Sequence, residues 1–245
     1  MSAARTAILY APGTNCHEET AAALEAAGAR AELVLIHDLL EGRSRLADYQ
    51  AAIIPGGFSY GDHLGAGRIF GLMLTARLQE PLQEFLGAER PLLGVCNGFQ
   101  VLAEAGILPG RTLGQRALAL LENQSAHFED RKVRLAVSGE KSIWTEGLEG
   151  EILRMPSAHG EGRACFAAPD GGRARVVFRF ADERGCPTTG YPANPNGAPD
   201  GIAGLTDETG LVLGLMPHPE RAALPAHYSQ DGLKLFKNLA RWLRL

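Results

Sequence analysis

The stretch LLGVCNGFQ, residues 92–100, decides how the chain is interpreted. Its apolar first half predicts a buried strand and its second half begins a helix, so Cys96 stands at a strand-to-helix turn. The pattern G-x-C-x-G around it is the nucleophile elbow G-x-S-x-G with sulfur in place of oxygen. Glycines relieve crowding in such a turn, and the helix N-terminus favours a thiolate. The alternative is a buried core cysteine, a common state of free cysteine.

Working outward, apolar runs alternate with helical segments through the first 110 residues. This alternation predicts an α/β fold with an open, mostly parallel sheet and helices on both faces. One helix covers residues 69–89, and we expect it to bend near Pro81. Between Leu118 and Phe180 short strands joined by turns predict a small antiparallel portion at the sheet edge. We expect a single domain over residues 1–245.

Composition excludes several classes of protein. The chain of 245 residues has a formal net charge of −4 and no basic cluster, which argues against nucleic-acid binding. No segment approaches the ~18–20 apolar residues of a membrane span, and the N-terminus lacks the apolar core of a signal peptide. The four cysteines form no C-x-x-C pair, so we expect no metal site and a cytoplasmic protein with reduced thiols.

A nucleophilic cysteine needs a base, and two segments offer one. In MPHPER, residues 216–221, the flanking prolines predict an extended backbone at His218. Residues i and i+2 of an extended chain point to the same side, so Glu220 can orient the imidazole. MPSAHGEG, residues 155–162, contains the same His-x-Glu pattern as His159 and Glu161. Spacing does not separate the two, but the prolines make the geometry of His218 stiffer, and we favour it.

The segment PGGFSYGD, residues 55–62, follows another buried strand. Its glycines allow close approach of the backbone to a ligand, and their N–H groups can stabilise an oxyanion together with the backbone N–H of Asn97. The alternative is an ordinary glycine turn. If one sheet holds all three strands, the segments carrying Cys96, His218 and these glycines meet at the carboxyl ends of its strands.

Taken together, the motifs resemble the class I, triad-type glutamine amidotransferases, which share a flavodoxin-like fold. More closely they resemble the glutaminase subunits of phosphoribosylformylglycinamidine synthase. The segments that carry the resemblance, in the order of that family, are APGTNCHEE, PGGFSYGD, GVCNGFQVLAEAGILPG, LLENQSAHFEDR, MPSAHGEG, YPANPNG and GLMPHPER.

The resemblance implies a role for each candidate residue. Cys96 is the nucleophile, and His218 and Glu220 complete the triad. Gly57 and Asn97 donate the oxyanion-hole hydrogen bonds. Cys16 becomes part of the scaffold. The candidates for substrate binding are Gly56, Phe58, Gln100 and His159.

The resemblance also implies the reaction and the partners. Glutamine is hydrolysed through a thioester, and the ammonia passes to a large synthetase subunit that is joined by a small bridging subunit. The chain has no phosphate-binding G-x-x-x-x-G-K-[ST] loop, so ATP and Mg²⁺ are expected on the synthetase, with no cofactor here. Three alternatives stay open: a glutaminase for another synthetase, a stand-alone cysteine hydrolase, and a non-catalytic module with a redox-sensing Cys96.

Overall fold

The computed structural model describes residues 4–168 and 174–244. The strands are β1 Arg5–Tyr10, β2 Arg30–Leu35, β3 Ala51–Ile54, β4 Leu92–Val95, β5 Leu118–Glu122, β6 Glu129–Val137, β7 Ile152–His159, β8 Glu161–Phe166, β9 Arg175–Ala181, β10 Ile202–Thr206 and β11 Val212–Leu215. The helices are α1 His17–Ala26, α2 Ile36–Leu40, α3 Arg68–Arg77, α4 Gln79–Gly87, α5 Asn97–Glu104 and α6 Leu233–Trp242. Within these ranges no helix has the length and apolar character that crossing a membrane requires.

Nine strands form one open sheet in the order β2-β1-β3-β4-β11-β10-β9-β6-β7. The first five are mutually parallel, in a flavodoxin-like order, and the last four continue the sheet as antiparallel neighbours. β5 and β8 pair separately as an antiparallel ribbon. The predicted α/β sheet with an antiparallel portion is confirmed, and that portion extends over four strands at one edge.

The three central parallel strands, β3, β4 and β11, are apolar along their whole length because both faces of the sheet are covered there. Every residue of β3, β4 and β11 is buried. The helices form two groups, with α1 packing against α6 and α3 packing against α4 and α5. The core continues from these strands into the antiparallel half, where Phe178 and Phe180 are fully buried.

The helical segment 69–89 breaks earlier than the predicted bend at Pro81. α3 and α4 are separated at Leu78, whose φ of −123° and ψ of 21° are not helical. Pro81 then falls in the first turn of α4, where a residue without an N–H removes no intrahelical hydrogen bond. The proline therefore begins a helix rather than bending one.

Candidate active site

Three neighbouring parallel strands bring the predicted segments together. β4 pairs with β3 on one side, Ile54 opposite Gly94, and with β11 on the other, Leu215 opposite Val95. Their carboxyl ends lead into the glycine segment, Cys96 and the His218 segment respectively. The backbone N–H of Cys96 donates to the carbonyl of Leu215 at 2.7 Å, which joins two of the three directly.

Cys96 lies at a sharp turn that only its glycine neighbours permit. Its φ of 49° and ψ of −104° lie outside the helical region, and α5 begins at the next residue. A Cβ on Gly98 would lie 1.8 Å from the carbonyl oxygen of Ile54, and one on Gly94 would lie 2.6 Å from that of Gly98. The strand-to-helix setting is confirmed, and the glycines are required because β3 and α5 approach each other through them.

The imidazole of His218 is held by a carboxylate inside the protein. Its Nδ1 lies 2.6 Å from Oε1 of Glu220, and both side chains are buried. Burial alone would lower the pKa of His218, but the Glu220 carboxylate and the Cys96 sulfur together raise that pKa well above its ordinary value. The other ring nitrogen, Nε2, has no hydrogen-bond partner of ordinary geometry in the described chain. It is therefore the nitrogen that remains for chemistry.

The edge strand β7 fixes both reacting groups. The carbonyl oxygen of Pro156 accepts the backbone N–H of His218 at 2.8 Å, and the sulfur of Cys96 lies 3.5 Å from the carbonyl oxygen of Ala158. The antiparallel half of the sheet thus contributes to a site whose side chains come from the parallel half.

His159, the other candidate base, has a different environment. Its Nδ1 lies 3.2 Å from Oγ of Ser157, and its Nε2 lies 3.3 Å from Nδ2 of Asn196, so both ring nitrogens are occupied. Burial lowers the pKa of His159 to about 3, and the nearby charge of His218 acts in the same direction. The neutral, fully bonded ring of His159 is suited to holding the bend between β7 and β8, and the geometry favours His218 as the base.

The glycine segment and the elbow are linked by one side chain. The backbone N–H of Ser59 donates to Oδ1 of Asn97 at 3.1 Å, and Nδ2 of Asn97 donates to Oδ1 of Asp62 at 3.2 Å. Gly57 has a φ of +143°, and a Cβ there would lie 2.6 Å from the backbone nitrogen of Asn15. The sequence suggested only the backbone of Asn97, whereas its side chain sets the distance between the two expected oxyanion donors.

A pocket opens at these segments and contains most of the substrate-binding candidates. Phe58, Gln100 and His159 line it together with Gly57, Cys96 and His218. Gly56 instead packs beneath the imidazole, because a Cβ on it would lie 2.7 Å from Cε1 of His218. At the rim the ring of Phe58 stacks on that of Phe128, with centroids 6.4 Å apart.

Sequence reasoning assigned no charged residue to substrate binding: it considered Glu161 only as a partner of His159 and did not single out Asp62 or Arg221. Asp62 and Glu161 line it as carboxylates, and Arg221 lines it as a guanidinium. Burial raises the pKa of Asp62, and the charge of Glu161 raises it further. A pocket with both signs of charge matches a free amino acid, which carries an ammonium and a carboxylate. Asp62 lies in the motif PGGFSYGD and Arg221 lies in the motif MPHPER. Their closeness in sequence to predicted site residues could therefore have identified them as pocket residues.

Cys16 was assigned to the scaffold, yet it lines the same pocket. It precedes α1, and its sulfur lies 4.0 Å from Nδ1 of His218, on the side of the ring that faces Glu220. Nη2 of Arg221 lies 3.3 Å from that sulfur. Cys165 and Cys186 are exposed free thiols.

The comparisons agree on one family. A family model for the CobB/CobQ-like glutamine amidotransferase domain matches residues 3–243. The chain is 40% identical to phosphoribosylformylglycinamidine synthase subunit PurQ of Dehalococcoides mccartyi, over 100% of this chain and 99% of that protein. It is 43% identical to the PurQ subunit of Pyrococcus furiosus, over 97% of this chain and 98% of that protein.

Solved structures give the same result. The chain is similar to a chain in the structure of PurLQS from Thermotoga maritima, with a TM-score of 0.80, 32% identity and coverage of 98% of this chain and 99% of that chain. A glutamine amidotransferase from Thermotoga maritima has a TM-score of 0.59 at 17% identity, over 100% of each chain, and shares the fold.

Proposed function

The chain belongs to the CobB/CobQ-like glutamine amidotransferases, and from this membership we propose that it releases ammonia from glutamine for a partner synthetase. It acts as the glutamine amidotransferase subunit of phosphoribosylformylglycinamidine synthase in purine biosynthesis. Its partners are the large synthetase subunit, PurL, and the small bridging subunit, PurS. The synthetase uses the ammonia to convert formylglycinamide ribonucleotide to formylglycinamidine ribonucleotide.

The observation that carries the mechanism is that Cys96 and His218 line one pocket, while Glu220 lies 2.6 Å from Nδ1 of the His218 ring. The raised pKa of His218 supports an imidazolium beside the Cys96 sulfur. The thiolate attacks the side-chain amide carbon of glutamine, and the backbone N–H groups of Gly57 and Asn97 stabilise the oxyanion. Loss of one such donor typically lowers the rate by ~10²–10³.

His218 then moves protons through Nε2 while Glu220 holds Nδ1. The imidazolium protonates the departing nitrogen, because an amide anion is too basic to leave, and ammonia and a glutamyl thioester are formed. The neutral ring next takes a proton from water, whose oxygen attacks the thioester carbon. Glutamate leaves and the Cys96 thiolate and the imidazolium are restored.

The charges in the pocket support glutamine over a peptide, the substrate of a stand-alone cysteine hydrolase. Inside a peptide the α-amino and α-carboxyl groups are neutral amides, which offer no ammonium to Asp62 and Glu161 and no carboxylate to Arg221 beyond that of Glu19. A free amino acid supplies both charges. We therefore assign the two carboxylates to the ammonium of glutamine and the guanidinium to its carboxylate.

We propose that this subunit uses no resident cofactor and that ATP and Mg²⁺ act on the synthetase. Hydrolysis of an amide needs a nucleophile, a proton shuttle and water, and the pocket residues supply the first two. We also propose that the protein acts in the cytoplasm, since its thiols are free and the nucleophile must stay reduced.

The test uses the assembled complex, made with the wild-type chain or with the variants Cys96→Ala, His218→Ala, His159→Gln and Cys186→Ala. We expect Cys96→Ala and His218→Ala to abolish glutamine-dependent synthesis while synthesis from added ammonia continues. Cys186→Ala, an exposed cysteine away from the pocket, is the matched control and should match wild type. Full glutamine-dependent activity in Cys96→Ala would refute the proposal.

The same assay tests coupling between the subunits. We expect the isolated subunit to hydrolyse glutamine more slowly than the complex, because a free glutaminase would waste glutamine. Equal rates with and without the partner subunits would contradict this expectation.

A further inference from the structure

Cys16, His218 and Glu220 form a buried cluster that the glutaminase mechanism uses only in part. One ligand atom from each, the sulfur, a ring nitrogen and a carboxylate oxygen, lies within 4.8 Å of the others. The three residues are 1%, 2% and 1% exposed. Oε2 of Glu220 is buried and has no hydrogen-bond partner in the described part of the chain.

We propose that this cluster is an inhibitory zinc site, in which Zn²⁺ bound by Cys16, Nδ1 of His218 and Glu220 stops the glutaminase. The inference goes beyond the proposed function, because it assigns a ligand that the hydrolysis of glutamine does not need.

The donor set favours zinc. Thiolate sulfur, imidazole nitrogen and carboxylate oxygen are the ligands of protein zinc sites, and soft thiolate disfavours Mg²⁺ and Ca²⁺. A cysteine thiolate and a carboxylate together neutralise the two charges of Zn²⁺. The bound site is therefore electrically neutral, which suits a cluster so far removed from water.

The geometry requires only small shifts. With Zn–S bonds of about 2.3 Å and Zn–N or Zn–O bonds of about 2.1 Å, ligand atoms around a tetrahedral zinc lie about 3.4–3.6 Å apart. The sulfur of Cys16 is 4.0 Å from Nδ1 of His218, so it must approach by roughly 0.5 Å. Oε1 of Glu220 is 2.6 Å from Nδ1, so it must retreat by roughly 0.8 Å to admit the ion.

The surroundings allow entry and supply a further ligand. Cys16 and His218 both line the active-site pocket, which gives the ion a path from solvent. Oδ1 of Asn15 lies 3.2 Å from the Cys16 sulfur and offers an oxygen at the edge of the cluster. Arg221 is the charged neighbour of the Cys16 sulfur. Its guanidinium also contacts the Glu19 carboxylate at 3.3 Å, so the positive charge of Arg221 keeps a partner when the Cys16 thiolate binds zinc.

Zinc at Nδ1 would stop the proton shuttle. On binding, Cys16 releases its thiol proton and the imidazolium of His218 releases the proton on Nδ1, so two protons leave as one ion enters. The proton on Nε2 stays. Loss of the proton on Nε2 would now form an imidazolate, so the ring does not protonate departing ammonia. Because zinc occupies Nδ1 and the proton occupies Nε2, the ring also cannot accept a proton from water. The orienting hydrogen bond from His218 to Glu220 is replaced by the metal.

The first test titrates the metal-free full-length subunit with Co²⁺, a spectroscopic substitute for Zn²⁺, followed by competition with Zn²⁺. We expect visible d–d bands together with a thiolate-to-cobalt charge-transfer band. In Cys16→Ala the charge-transfer band disappears and the affinity falls at least about tenfold, since a direct ligand is lost. Cys96→Ala keeps the band, and Cys186→Ala is the matched control.

The reverse pattern would overturn the proposal. A band that survives in Cys16→Ala and is lost in Cys96→Ala would place the metal between Cys96 and Nε2. Absence of any band in the wild-type protein would refute the site outright. Cys16→Ser, which keeps the size of the side chain, and thermal unfolding curves separate loss of binding from loss of fold. This readout does not depend on activity, so it fails independently of the proposed function.

A second measurement follows inhibition of the assembled complex by Zn²⁺. Each variant is compared with its own zinc-free rate, and we expect Cys16→Ala to need at least about tenfold more zinc for half inhibition than wild type. Equal sensitivity of the two would contradict an inhibitory role for this cluster.

Discussion

Replacing Gly56 with alanine tests whether the placement of the His218 ring controls the rate. The new Cβ would lie 2.7 Å from Cε1 of His218 and 3.3 Å from both its Nδ1 and the Cys16 sulfur. Carbon atoms in contact prefer separations of about 3.5–4.0 Å, so the ring must retreat by about 1 Å. Retreat strains two contacts at once, the 2.6 Å contact with Glu220 and the 2.8 Å hydrogen bond from the His218 backbone to Pro156.

The size of the effect follows from this displacement. A misplacement of about 1 Å in a catalytic group lowers the rate by about 10²-fold, which equals about 2.7 kcal/mol in the activation barrier. We expect the loss in kcat rather than KM, because Gly56 lies beneath the ring and the charged groups that we assign to glutamine are elsewhere in the pocket.

The assay is steady-state formation of glutamate by the assembled complex, with thermal unfolding as a check on the fold. Gly139→Ala is the matched control, since a Cβ on Gly139 meets nothing within 4 Å. A Gly56→Ala variant that folds and keeps kcat within about threefold of wild type would refute the reasoning, because the ring would then tolerate the displacement.

Three further predictions follow from the same contacts. The pKa of His159 is lowered to about 3, so between about pH 6.5 and 5 the unfolded state takes up a proton that the folded state does not, and stability falls by about 2 kcal/mol as pH drops. Urea unfolding at both pH values should show this loss shrinking in His159→Gln, and unchanged pH dependence would contradict it. Asp62→Asn should raise the KM for glutamine about tenfold with little change in kcat, because it removes a charge but keeps an acceptor for Asn97; an unchanged KM would exclude Asp62 from substrate binding. Gly98→Ala, with its Cβ 1.8 Å from the Ile54 oxygen, should lower the free energy of unfolding by about 3 kcal/mol, while Gly87→Ala, which meets nothing within 4 Å, should not.

Local patterns predicted the parallel half of the fold and its catalytic segments. Apolar runs bounded by glycine and proline marked β3, β4 and β11, and ligands in such sheets lie at the carboxyl ends of strands. The extent of the antiparallel half, and the separate pairing of β5 with β8, depend on contacts between distant strands. The periodicity of apolar residues within one segment does not indicate which distant strand that segment pairs with.

The site shows the same limit. His159 and His218 stand in identical His-x-Glu patterns and are both buried, so in the structure their hydrogen-bond neighbours distinguish them: Ser157 and Asn196 occupy both nitrogens of one ring, and Glu220 orients the other. Cys16 lies 202 residues from His218 in the chain, so no spacing rule relates them. The single domain over residues 1–245 stays a prediction.

The position of β11 also has a consequence for synthesis of the protein on the ribosome. This strand lies in the middle of the sheet, between β4 and β10, although it comes near the end of the chain. The growing chain therefore holds an open gap beside Cys96 until nearly all of it has been translated, and long-range pairing of this kind forms slowly. The same strand leads into His218, so a truncated or partly synthesised chain lacks the base. Such a chain cannot hydrolyse glutamine until the last strand has entered the sheet.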